Sequence, residues 1–200
     1  MPEQVVKLKK KQWYPIIAPK QFGNVVLGET LVHEPRQMLG KTLSQSLMNL
    51  TNDQKKHNIN IHFKVVEIDG SSAKTSITGY QIANSSVKRF VRRNSEKIDM
   101  AFNCETADNV FLRVKPLIVT RGDIKGSVAA KLRNSLADLV AKIVKKMTYD
   151  EVISNLIIHK LQDEIRSNLN KIYPLKICEI RYLGIEAREK PQEVKAEVKE

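Results

Sequence analysis

The sequence predicts an α+β fold: a mostly antiparallel, barrel-like β core with a short basic helix inserted, then a C-terminal helical segment and a final strand. Three observations predict it. From Ile59 to Arg121, apolar residues recur at alternate positions in four runs, the period of half-buried strands. Between the second and third runs, NSSVKRFVRR has helical spacing instead. After Arg121-Gly122 the period becomes that of a long amphipathic helix, and strand-like alternation returns only in LKICEIRYLGI.

Residues 1–12 read as a basic N-terminal arm, 13–185 as a single α+β domain, and 186–200 as a disordered charged tail. Pro15, Pro19 and Gly23 punctuate the start, so Ile16-Ile17 reads as at most a short extended segment. Asn24 to His33 reads as a strand, with Gly28 at a bend or bulge, and Pro35 ends it. The run GKTLSQSLMNL is ambiguous. Leu43, Leu47 and Leu50 have helical spacing, yet Ser and Thr are frequent.

Ile59, Ile61, Phe63 and Val65 share one strand face, and Asp69-Gly70-Ser71-Ser72 supplies the turn to a partner strand. In NSSVKRFVRR, Lys88, Arg89, Arg92 and Arg93 fall on one helical face, while Val87, Phe90 and Val91 face the sheet. Ile98, Met100, Phe102 and Cys104 form the next strand face. Ala107-Asp108-Asn109 reverses the chain, and Val110, Leu112 and Val114 return along the partner.

Val128, Leu132, Leu136, Leu139 or Val140, and Ile143 make one stripe of a helix running to about Met147, with Asp123 as its N-cap. Thr148-Tyr149-Asp150-Glu151 is a capping-box pattern that opens a short helix. A third helix, roughly 155–172, carries Leu161, Ile165, Leu169 and Ile172, and Pro174 stops it. The last strand sets Ile177, Glu179, Arg181 and Leu183 against Cys178, Ile180 and Tyr182.

Charge narrows the function. Of 200 residues, 34 are Lys or Arg and 22 Asp or Glu, a net charge of +12. Cations in clusters gain affinity for nucleic acid by releasing its counterions. The tail is balanced, so the excess belongs to the arm and the domain. The N-terminus has charge but no apolar signal-peptide core, and no apolar run reaches membrane-spanning length. Cys104 and Cys178 read as buried thiols of a reducing compartment.

Catalytic patterns are missing. Gly122 and Gly126 lack the rest of a phosphate loop. His33, His57, His62 and His159 have no ligand spacing, and neither cysteine has a C-x-x-C partner, so no metal or cofactor is expected. The carboxylate pairs Asp150-Glu151 and Asp163-Glu164 read as solvated helix faces.

With these stretches laid out, the chain resembles the small-subunit ribosomal protein family S-three-Ae, or eukaryotic-type S-one, of archaeal and eukaryotic ribosomes. Four stretches carry the resemblance between about Lys10 and Leu183: KKKQWYPIIAPKQFG, GKTLSQSLMNL, the hairpin order ending in LIVTRGDIKGSVAAKLRN, and KIYPLKICEIRYL. Where the family's signature has Arg, Glu and Asp, this chain has Lys41, Ser44 and Asn49, so any interaction centred on those acids is missing. The resemblance makes GKTLSQSLMNL a strand. It implies a non-catalytic structural constituent of the small ribosomal subunit in the cytoplasm. The implied place is the platform near the messenger exit and the 3′ end of the small-subunit RNA, beside neighbouring ribosomal proteins and near the mRNA itself. The readings set against it are an RNA-processing nuclease, a transient ribosome-associated factor and a duplex-DNA binder.

The expected phosphate contacts are Lys7, Lys9, Lys10 and Lys11 in the arm and Lys88, Arg89, Arg92 and Arg93 at the short helix, followed by Arg113, Lys115, Arg121, Lys125, Lys131 and Arg133. Trp13 and Tyr14 either stack on bases or pack on their own domain. Packing is the commoner fate of such rings.

Overall fold

A computed structural model of the chain describes residues 10–186. Its longest hairpin is the predicted one. β4 (Ile59–Asp69) and β5 (Ser72–Ile82) pair antiparallel, with Gly70 at φ 54° in the turn. Ser72 Oγ donates to the Asp69 carbonyl, and Lys74 pairs with Asp69 at 2.9 Å. Ile59, Ile61, Phe63 and Val65 are buried, as their alternation requires.

Three strands precede this hairpin: β1 (Gln12–Ile17), β2 (Val26–Val32) and β3 (Thr42–Ser46). β1 is longer than its prolines suggest. β5 pairs only with Ile16 and Ile17, so the missing N–H of Pro15 breaks no ladder on that side. Opposite Ile16 and Ile17, β2 offers Gly28 and Val26, which leaves Leu27 as the extra residue of a bulge beside Gly28. GKTLSQSLMNL divides, and the all-strand expectation holds for half of it. Thr42–Ser46 pairs with β4; the Ser46 side chain then caps α1 (Leu47–Thr51), which buries Leu47 and Leu50.

α2 spans only Asn84–Phe90. Val91 leaves the helix at ψ 124°, so Lys88 and Arg89 lie in its last turn while Arg92 and Arg93 lie in the loop beyond. Ser95 holds that loop through both backbone groups of Arg92. The single helical face expected for the four cations is therefore not formed. The next strand is also divided, into β6 (Lys97–Asp99) and β7 (Phe102–Glu105), which pair in turn along β8 (Phe111–Thr120).

α3 covers Gly126–Val144, and its N-cap position is Lys125. Asp123 stands two residues outside the cap, so the expected capping role fails. α4 (Tyr149–Ile157) opens with the predicted capping box, in which Thr148 and Glu151 bond reciprocally. The third helix does not start at residue 155. His159, at φ 67°, breaks the chain direction, and α5 runs Lys160–Leu169. β9 (Leu175–Ile185) completes the sheet.

The nine strands form one mixed sheet whose main path is β2-β1-β5-β9-β8-β6. β3 adds to β4, β4 to β5, and β7 to β8. Only β1–β5 is parallel, and the sheet does not close into a ring. β4 takes one edge of β5. The other edge is shared by β1, at Ala73-Lys74, and β9, at Gly79–Gln81. In the gap between them the Ile77 carbonyl accepts from Tyr149 Oη at 3.2 Å, and Thr75 Oγ1 donates to the Ile17 carbonyl. α5 lies against β9, and α3 against α5 and β7; their buried Leu132, Leu136, Leu161, Ile165 and Leu169 join the strand residues in one core.

Candidate nucleic-acid interface

The expected RNA contacts divide between the two ends of the sheet. Lys7 and Lys9 lie outside the described residues, as does the tail from 187. Lys10 and Lys11 are exposed at the start of β1. The aromatic pair that follows is divided by strand alternation. Tyr14 is 9% exposed and belongs to the core, with Oη donating to Gln12 Oε1, so it is not a stacking platform. Trp13 is 64% exposed, opposite the part-exposed Leu31 of β2, so core packing is not its role. An open trough of 870 Å³ at this end is flanked by Lys10 and by Arg36, a cation that sequence reasoning missed.

The other cations lie around α2, β8 and the entry to α3. Lys88, Arg89, Arg92 and Arg93 are exposed; Arg89 Nη2 donates to Ser86 Oγ at 2.8 Å and Asn58 Oδ1 at 3.1 Å, which fixes its guanidinium. The loop carrying Arg92 and Arg93 ends at Glu96, whose N–H is bonded by Thr120 Oγ1, one residue before exposed Arg121. Lys125, Lys131 and Arg133 continue the exposed cations onto α3. Trp13 and the end of β5 are separated by at least nine residues of extended chain, roughly 30 Å. The two basic regions are therefore set apart along the sheet.

Arg113 and Lys115 project from β8 on the sheet's polar face, and the register places unexpected partners beside them. Arg113 Nη1 is 2.8 Å from Glu186 Oε1, so its charge is largely matched. Lys115 stands opposite Tyr182, with Nζ 4.9 Å from the ring centroid. Tyr182 was expected on the face of Cys178 and Ile180. A bulge overturns this: Lys115 pairs with Tyr182 but Pro116 pairs with Ile180, and Arg181 is the extra residue. Pro116 has no N–H for the ladder, which is where a bulge is tolerated. From that point Leu183 turns inward and Tyr182 outward. The signal was present in Pro116 and Gly184, although alternation alone hides it.

Elsewhere among the described residues, burial is what chiefly shifts the titratable groups. Burial pushes Cys104 up to about 11 and Cys178 up to about 12, and both are free, inert thiols. Burial raises Glu179 to about 7, and its Oε2 accepts no hydrogen bond. His159 Nδ1 is 3.8 Å from that oxygen, but burial, with Lys56 nearby, holds the imidazole below its ordinary value. Near neutrality the Glu179 carboxyl is therefore about half ionised, far more protonated than an exposed glutamate. Among the described residues, no group of three or more His, Cys, Asp or Glu could hold a metal ion, and no helix is long and apolar enough to cross a membrane.

Comparison with known proteins agrees from end to end. The chain is 32% identical to small ribosomal subunit protein eS1 of Haloarcula marismortui over 191 residues, covering 96% of this chain and 89% of that protein. It is 30% identical to the protein of the same name from Desulfurococcus amylolyticus, covering 87% of this chain and 82% of the other. For the Saccharolobus islandicus protein the identity is 32%, over 87% and 84%. A family model described as the Ribosomal S3Ae family matches residues 3–188. With the family model matching nearly all of the chain and relatives of 30–32% identity along most of it, the chain belongs to the ribosomal S3Ae family.

Proposed function

We propose that the chain is a non-catalytic structural constituent of the small ribosomal subunit, working in the cytoplasm. It binds small-subunit ribosomal RNA and neighbouring ribosomal proteins on the platform, near the mRNA exit and the RNA 3′ end. The observation that carries this reading is the family match over nearly the whole chain, to relatives named as small-subunit proteins. The physical features are consistent with it. A +12 chain holds its cations in two separated exposed regions, in one of which the Arg89 guanidinium is pinned by Ser86 and Asn58. Such cations neutralise phosphates and fix orientation on folded RNA without reading sequence.

Salt-washed small subunits test the proposal. A structural constituent stays bound at close to one copy per subunit through a wash at about 0.5–1 M salt, because many phosphate and protein contacts must break together. Loss of the protein in that wash, with the subunit otherwise intact, would make it a transient factor instead.

A further inference from the structure

We infer that the polar concavity formed by Gln81, Asn84, Lys115, Arg181 and Tyr182 is a binding site for one nucleotide of an unpaired RNA segment crossing the sheet. The inference rests on the RNA-binding reading above and deepens it by naming a site and the form of RNA it takes.

Two backbone features build this site. Gly184 is the first. A Cβ at Gly184 would lie 2.4 Å from Tyr182 Oη and 2.8 Å from its Cζ, so only glycine lets the ring lie down along the strand. Directly across the ladder is Gly79, which keeps the sheet surface low on that side. The bulge opposite Pro116 is the second, since it lets the consecutive residues Arg181 and Tyr182 line one concavity instead of opposite faces of the strand. By register Gln81 is the cross-strand neighbour of Tyr182, and Lys115 is its neighbour on the other side.

The lining chemistry fits a nucleotide. His62 Nε2 lies 3.1 Å from Gln81 Oε1, an arrangement that leaves the Gln81 amide nitrogen as a donor for a base carbonyl or ring nitrogen. Asn84 supplies a second amide. Asp99 is shared between Lys97 and Arg181, the latter at 3.7 Å, and Lys115 has an aromatic face but no carboxylate partner among the described contacts. The two cations that line the site, Lys115 and Arg181, thus have beside them one acid, Asp99, which Lys97 already shares, a surplus that a phosphate would match. The space is 220 Å³, small beside ordinary ligand pockets, and flanked by polar strand residues (Ser46, Asn60) in the same cross-strand row. A protein partner would find no exposed aliphatic patch there. A duplex would present base edges already paired with one another, leaving the Gln81 and Asn84 amides without partners, whereas an unpaired strand offers those edges.

The test uses the full chain and fluorescence anisotropy with a labelled single-stranded RNA of about 12 nucleotides, free or annealed to its complement. Wild type should prefer the single strand. Lys115→Gln with Arg181→Gln should weaken single-strand binding tenfold or more and flatten the log–log salt slope by about 1.4, from two lost phosphate contacts at ~0.7 each. Gly184→Ala, which lifts the ring, should weaken binding severalfold at unchanged slope. An unaltered affinity and slope in the double variant, or equal binding of duplex, would overturn the site while leaving the RNA-binding reading in place. Failure of the wild-type chain to bind any RNA, its ribosomal RNA included, would overturn both. Should the variants not fold, ultraviolet crosslinking of a thiouridine-substituted strand to wild type decides: adducts on residues 113–117 and 179–186 support the site, and adducts confined elsewhere reject it.

Discussion

Glu179 shows most plainly how one side chain departs from what its neighbours in sequence suggest. It lies in an alternating strand run, yet helix α5 approaches it and burial raises its pKa from an ordinary 4.5 to about 7. A carboxyl raised on folding favours the folded state fully below its unfolded value and loses that benefit as pH rises through its folded one. Glu179→Gln, a neutral mimic, should therefore match wild type below about pH 4.5 and exceed it above about pH 7. The gap, at ~1.4 kcal/mol per pH unit, bounds the gain at about 3 kcal/mol. Urea unfolding at pH 4.5 and pH 8 checks this, and an equal difference at both would reject it. This burial is not legible in the strand's alternation, because helix-to-strand approach is a tertiary event. Cys104 and Cys178, by contrast, were legible as buried thiols from residue type and strand context.

Among elements, the hairpins and helices with strong periodicity were readable, and the failures share a cause. α2 ends at Phe90 and the β6–β7 strand breaks after Asp99, both where backbone pairing elsewhere overrides local spacing. The expected cap at Asp123 failed because the chain stays extended through Lys125 before turning into α3. The α4 capping box was readable since both its partners lie within four residues. What the box positions was not. Tyr149, the first residue of α4, sends its hydroxyl to the Ile77 carbonyl in the gap between β1 and β9. Tyr149→Phe removes that donor at nearly constant shape and leaves a carbonyl without its partner, so it should cost about 1–2 kcal/mol. Chemical denaturation measures it, and a change below about 0.3 kcal/mol would mean that water fills the role.

At the scale of the molecule, the family and the α+β class were legible because motifs spread along the chain reinforce one another. The distribution of cations was not. The sequence put Lys88, Arg89, Arg92 and Arg93 on one helical face. The structure instead divides them between a helix end and a loop, which follow the end of β5 opposite to the one that β1 pairs. Changing Arg89, Arg92 and Arg93 together to Ala should weaken ribosomal RNA binding and flatten its salt slope by about 0.7–0.9 per lost phosphate contact. An unchanged slope would remove that region from the interface while leaving the Lys10–Lys11 end untouched.

The position of β9 has a further consequence for how the molecule is made. No ladder joins β1–β5 directly to β6–β8; β9 pairs with both and is the last strand in chain order. During synthesis the two halves of the sheet must wait side by side, each with an open edge, until the keystone strand emerges. The two halves therefore become one continuous surface only once β9 has emerged, and whatever that surface contacts meets it complete only after that point.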